Sequence, residues 1–195
     1  GQGCRYRELN TQGKGIQVKE STGANGQQVI KATASKLSPI IKEPFGPDFT
    51  ELFPRVYFAP SAFKYDKSEG DMSNWQKYGE WQYRLLDGRD LLTEPFRAKL
   101  HELTAHCTTD RDKVKAIYDY LAKTTRYVSI QLGIGGLQPI AAADVCRTGF
   151  GDCKGLSNYT RAMLKELGIA STYTVISTTN ERLLPDFSSA NQMNH

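Results

Sequence analysis

Gly151-Asp152-Cys153-Lys154-Gly155-Leu156-Ser157 places a cysteine where a glycine turn gives way to a helix. From there on Leu156, Tyr159, Met163, Leu164 and Leu167 recur at three- and four-residue steps, and Gly168 supplies a stop signal. The pattern predicts a helix over Cys153–Leu167. Asp152 is of the residue type that caps helix N-termini, so Cys153 falls in the first turn. There the unpaired backbone N–H groups and the positive end of the helix dipole favour a thiolate over a thiol. The thiolate is the nucleophilic form, and helix-start cysteines can titrate well below the free value of about 8.5. The Asp152 charge opposes this stabilisation, and the Lys154 charge partly cancels the opposition.

A cysteine at a helix start is more often a small buried hydrophobe than a catalyst. Two features weigh against that reading. Glycines crowd the approach to Cys153 (Gly133, Gly135, Gly136, Gly149, Gly151), which lets a substrate come close to backbone, and Gly135, Gly136 and Gly151 are the candidate substrate-loop positions. His195 stands far downstream, and one cysteine with a sequence-distant histidine is the pattern of a Cys–His nucleophile pair.

Outward from this point, Arg126–Ile130 reads as a short strand, Ala141–Arg147 as a short helix, and Thr172–Thr178 as a β-branched strand. Upstream, helical periodicity covers Ser73–Leu86, Glu94–Ala105 and Asp110–Lys123, the last with an apolar stripe of Val114, Ile117, Tyr118 and Leu121. Residues 1–35 read as irregular or β, with partial alternation over Gln28–Thr33. Five of the eight prolines (Pro39, Pro44, Pro47, Pro54, Pro60) fall in residues 39–60, which predicts an extended, non-helical segment containing a strand over Arg55–Ala59. The domain boundary is expected near Pro60.

The run Arg126–Ile169 (RYVSIQLGIGGLQPIAAADVCRTGFGDCKGLSNYTRAMLKELGI) resembles the core of the bacterial transglutaminase-like superfamily, with the R-Y-V strand, the glycine loop and G-D-C-K in order. Asn191-Gln192-Met193-Asn194-His195 resembles that family's later strand, which carries the catalytic histidine. The resemblance implies an α+β fold. A papain-like core over residues 61–195, with the cysteine helix packed on an antiparallel sheet, would follow the C-terminal part of a β-sandwich domain and its Pro-rich linker over residues 1–60. It also implies acyl transfer at an amide, with Cys153 as nucleophile and His195 as general base. In the family an acidic residue that orients the imidazole follows the histidine, so the resemblance places the third member of the triad, and the rest of the core, beyond His195. Asp144 and Asp186 are the carboxylates within the chain that could take its place. Export to the bacterial periplasm or cell surface is expected by resemblance alone. Gln131, just ahead of the glycine loop, is the candidate second oxyanion donor beside the Cys153 N–H; a surface glutamine at a strand end is the competing reading.

Composition narrows the remaining classes. Net charge is +4 from 25 basic and 21 acidic residues with no block of like charge, so a nucleic-acid partner is not expected. No run of 18 apolar residues exists, so no membrane span is expected in this stretch. Cys4, Cys107, Cys146 and Cys153 include no C-x-x-C spacing, which argues against a structural zinc or a dithiol redox pair. Cys146 is expected reduced and partly buried, because a disulfide to Cys153 would remove the nucleophile. His101-Glu102-Leu103-Thr104-Ala105-His106 imitates the zinc-protease H-E-x-x-H, but its histidines are five apart, about 140° round a helix, and cannot share a metal. Gly149, Gly151 and Gly155 lack dinucleotide spacing, and no G-K-[ST] is present. Neither a metal nor a cofactor is expected. The reading is cysteine-dependent amide hydrolysis of a peptide or protein substrate. A protein-glutamine transglutaminase and a non-catalytic binding module on the same fold are the alternatives.

Overall fold

The computed structural model describes residues 3–47, 49–179 and 182–195 and shows an α+β chain. It divides into two compact units. Residues up to Gly79 together with Ile176–Asn194 form one, and Glu80–Val175 with His195 the other.

The first unit holds β1 (Cys4–Leu9), β2 (Ile16–Thr22), β3 (Gln28–Ala34), the single turn α1 (Phe49–Leu52), β4 (Arg55–Pro60), β5 (Ala62–Tyr65) and β6 (Ser68–Asp71). All its ladders are antiparallel: β1 with β4 from Cys4↔Pro60 to Leu9↔Arg55, β2 with β3 from Ile16↔Ala34 to Thr22↔Gln28, and β5 with β6 from Ala62↔Asp71 to Tyr65↔Ser68. The strands expected near Gln28–Thr33 and Arg55–Ala59 are β3 and β4. The expectation that residues 39–60 hold no helix is corrected by α1, because the interval between Pro47 and Pro54 is long enough for one turn. The hairpin β5–β6 was not foreseen. Its two-residue turn is set by Asp66, whose φ of 54° is the left-handed conformation such turns require.

Residues 182–194 are tied into this unit by polar groups rather than by a ladder. Arg5 donates to the Ser188 carbonyl at 2.8 Å and to the Met72 carbonyl, with its guanidinium 4.9 Å from the Phe187 ring centroid. The Trp75 indole N–H donates to the Leu184 carbonyl at 2.8 Å. Ser188 Oγ also donates to the Met72 carbonyl at 2.5 Å, so Arg5 and Ser188 share that acceptor.

The second unit is mostly helical. The helix α2 (Trp75–Arg84) runs into it, followed by α3 (Glu94–Thr104), α4 (Asp110–Thr124), β7 (Arg126–Tyr127), α5 (Ala142–Thr148), β8 (Phe150–Gly151) and α6 (Cys153–Glu166). Its core is built from the apolar faces of four helices: Phe96 and Leu100 of α3, Ile117 of α4, Ala142 and Val145 of α5, and Tyr159, Ala162 and Met163 of α6. The ends are specified locally. Thr109 caps α4 by accepting from Asp112 N–H. Beyond α6, Gly168 takes a φ of 74° while Ile169 N–H bonds the Leu164 carbonyl and Gly168 N–H the Lys165 carbonyl, a Schellman stop.

Two strand expectations change. Arg126–Ile130 is a strand only over Arg126–Tyr127, and it pairs in parallel with Phe150–Gly151, a stretch whose glycine-turn composition gave no strand signal. Thr172–Thr178 runs extended, with exposure alternating along it, but has no ladder partner among the described residues. The sheet element next to α6 is therefore the short parallel pair β7–β8, and the antiparallel ladders belong to the first unit. No helix of the described residues is long and apolar enough to cross a membrane.

Candidate active site

Cys153 is the first residue of α6 and is half-buried. The geometry that sets it there is short-range. β7 lies beside β8, with Arg126 N–H on the Gly149 carbonyl at 2.8 Å and Val128 N–H on the Gly151 carbonyl at 3.0 Å. One residue later the chain turns at Asp152, which caps the helix by accepting Gly155 N–H on Oδ1 at 2.9 Å. Gly151 is buried, and a Cβ on it would lie 3.1 Å from Leu156 Cδ2 and 3.4 Å from its backbone nitrogen. Its lack of a side chain thus lets α6 start close against β8, a packing role alongside the substrate-loop role read from the sequence.

Asp152 is 1% exposed, and its second oxygen takes the Lys154 ammonium. Lys154 Nζ also reaches the Ile130 carbonyl at 3.5 Å. Beyond Ile130 come Gln131, Leu132 and a 3-10 turn over Gly133–Gly136. Gly135 packs near Ile130, where a Cβ would come within 3.3 Å of Cγ2. The Gln131 side chain is exposed, and its amide donates to Ser129 Oγ at 3.4 Å.

Tyr173, from the extended segment after α6, completes the surroundings of Cys153. Burial, with the nearby Cys153 and Asp152 charges, pushes its phenol up to about 12. Sequence reasoning did not single out Tyr173; its place on the inward phase of an alternating β-branched stretch was the available signal. Three residues on, the Ile176 carbonyl accepts Asn194 N–H at 3.0 Å, and Asn194 Oδ1 accepts Thr178 N–H at 2.9 Å. These bonds tie Asn194 to Ile176 and Thr178 within the first unit. His195 itself is exposed and belongs to the same compact unit as Cys153.

The other sequence candidates are engaged elsewhere. Asp144 pairs with Arg147 at 2.9 Å and Asp186 with Arg7 at 3.0 Å, each on the surface. The two histidines of HELTAH part company: His101 Nε2 lies 3.0 Å from Glu166 Oε1, and His106 Nε2 lies 3.9 Å from Cys107 Sγ. Cys146 carries a free thiol beside the buried Tyr159 phenol, which burial holds far above its ordinary range. Cys107 is half-buried with a free thiol, and Cys4 is exposed.

A family model of the transglutaminase-like superfamily matches residues 97–194, a span that includes the β7 strand, the glycine loop and the Cys153 helix. No curated protein matches the sequence. A crystal structure from Parabacteroides distasonis ATCC 8503, of a protein provisionally termed a protease, superposes with a TM-score of 0.63 over 98% of this chain at 15% identity. The chain spans 34% of that protein, and the likeness is one of fold.

Proposed function

The chain belongs to the transglutaminase-like superfamily, and from that premise we propose that it transfers acyl groups through Cys153, hydrolysing amide bonds of a peptide or protein with His195 as general base. The observation that carries this reading is the station of Cys153. It is a half-buried thiol at the first position of a capped helix, where unpaired backbone N–H groups surround it.

The chemistry then runs through that thiol. The His195 imidazole takes the thiol proton, and the sulfur attacks the carbonyl carbon of the scissile amide. The C=O pair moves onto oxygen, where the Cys153 N–H, a first-turn donor that the helix leaves unpaired, points at the developing charge. Such a donor contributes about 3–4 kcal/mol to the transition state. Gln131 is the proposed second donor; its present bond to Ser129 is long, so turning the amide away sacrifices little. The imidazolium returns its proton to the nitrogen as the C–N bond breaks, leaving a thioester on Cys153. Water, deprotonated by His195, adds to the thioester carbonyl and releases the acid and the thiol. Gly135 and Gly136 offer a loop on which substrate backbone can lie without side chains in the way.

Hydrolysis of casein and a panel of dipeptide amides tests the reading. Cys153→Ala and His195→Ala should each lower turnover by at least about 1000-fold, as removal of a member of a nucleophile–base pair does. Turnover in Cys153→Ala equal to wild type would overturn the assignment. A primary amine added to the same assay reports the acceptor: its incorporation into product would make the enzyme a cross-linker rather than a hydrolase.

A further inference from the structure

We propose that Lys154 is the positioning residue of the Cys153 nucleophile: its ammonium neutralises the Asp152 carboxylate at the helix start, within 3.5 Å of the Ile130 carbonyl at the base of the loop Gln131–Gly136. The inference rests on Cys153 as the reacting group and adds Lys154 to it.

The helix cap demands an acceptor at position 152, and a carboxylate there is a fixed negative charge one residue from the sulfur. Unscreened, it would favour the thiol over the thiolate, against the effect of the helix dipole. The structure answers with a second buried charge. The Lys154 side chain is 11% exposed and the Asp152 side chain 1%, so the pair is shielded from solvent and from salt. Burying two ions is costly, and a stabilising role alone would be served as well by an uncharged cap such as asparagine. What the pair adds is electrostatic: a cap held rigid by its partner, with its charge cancelled beside the thiol. The contact at the Ile130 carbonyl extends the same ammonium to the base of the loop that carries Gln131.

Among the described residues, Asp152 and Lys154 flank Cys153 on its own turn, and Tyr173 from the segment after α6 lies near Cys153 and Asp152. Tyr173, pushed up to about 12, stays neutral at every pH used below, and His195 is common to all variants.

The test is the pH dependence of Cys153 alkylation by iodoacetamide in the full chain, between about pH 5 and 9, read from the Cys153 peptide by mass spectrometry. Lys154→Met should raise the midpoint by about one pH unit, making the reaction roughly tenfold slower on the acid side. Lys154→Arg should restore it. Asp152→Asn keeps a cap of equal quality and should lower the midpoint, and Asp152→Asn in the Lys154→Met background should abolish the rise. A Lys154→Met midpoint within about 0.2 units of wild type overturns the proposal, as does an Asp152→Asn midpoint that rises or does not move. A purely structural Lys154 would change the melting temperature and leave the midpoint alone. If Lys154→Met fails to fold, Asp152→Asn and the double variant still decide. The comparison needs no turnover, so failure of the peptidase reading, seen as no loss of hydrolysis in Cys153→Ala, remains distinct from failure here.

Discussion

Asp152 has two carboxylate oxygens and one buried position in which to use them. Oδ1 closes the helix start on Gly155 N–H, and Oδ2 holds the Lys154 ammonium. Asp152→Ala would remove a cap and leave a buried ammonium without its counter-charge, which together should cost about 2–4 kcal/mol. Urea unfolding measures this directly, and a loss below about 0.5 kcal/mol would mean that Lys154 finds water or another partner. At this scale the sequence was readable wherever the cause was local. Asp152 as cap, Cys153 in the first turn and Gly168 as stop all follow from residues within one or two turns of each other. The reach of Lys154 to Ile130, and the approach of Tyr173 to Cys153, depend on chain segments that the sequence separates widely, and no local pattern announces them.

Elements are held in register by a few polar crossings over an apolar interior, and α6 shows both ends of this design. Towards its middle Asn158 donates to the Arg89 carbonyl at 2.7 Å. At its end Glu166 meets α3 twice, through His101 Nε2 at 3.0 Å and Arg97 Nε at 2.9 Å. The His101 bond first, and then that of Arg97, hold the Glu166 carboxyl below its ordinary range. A folded-state value below the unfolded one means that the unfolded chain takes up the proton first on acidification. The stabilisation is therefore complete above the ordinary carboxylate value of about 4.3 and is lost as pH falls below it. Glu166→Gln should lower the melting temperature at neutral pH, and the gap to wild type should close below about pH 4. A gap that persists unchanged in acid would assign the effect to packing. The longer helices were legible at this scale because they carry their own period, and α4 and α6 carry capping side chains as well, whereas the single turn α1 was not legible. Strands were legible less well: β8 sits in a glycine turn without a β-branched residue, and Thr172–Thr178 has strand composition but no ladder partner among the described residues.

Across the whole molecule, the family's core and the α+β class were legible because the glycine loop, G-D-C-K and the helix behind it form one continuous run. The grouping of Ile176–Asn194 with the amino-terminal strands was not, since it depends on single contacts such as that of Arg5 with Ser188, from opposite ends of the chain. The four thiols differ in exposure, and that makes the proposed nucleophile sharply testable. Exposure by itself ranks the thiols with Cys4 first, since Cys4 is exposed while Cys107, Cys146 and Cys153 are half-buried. A helix-start thiolate assisted by an imidazole reverses that order. The decisive measurement is competitive labelling of all four cysteines with limiting iodoacetamide at about pH 6, resolved by peptide mass spectrometry, in wild type and in His195→Ala. The account predicts that Cys153 is labelled at least about ten times faster than Cys4 in wild type and loses most of that lead in His195→Ala. Uniform labelling, or labelling led by Cys4, would contradict it.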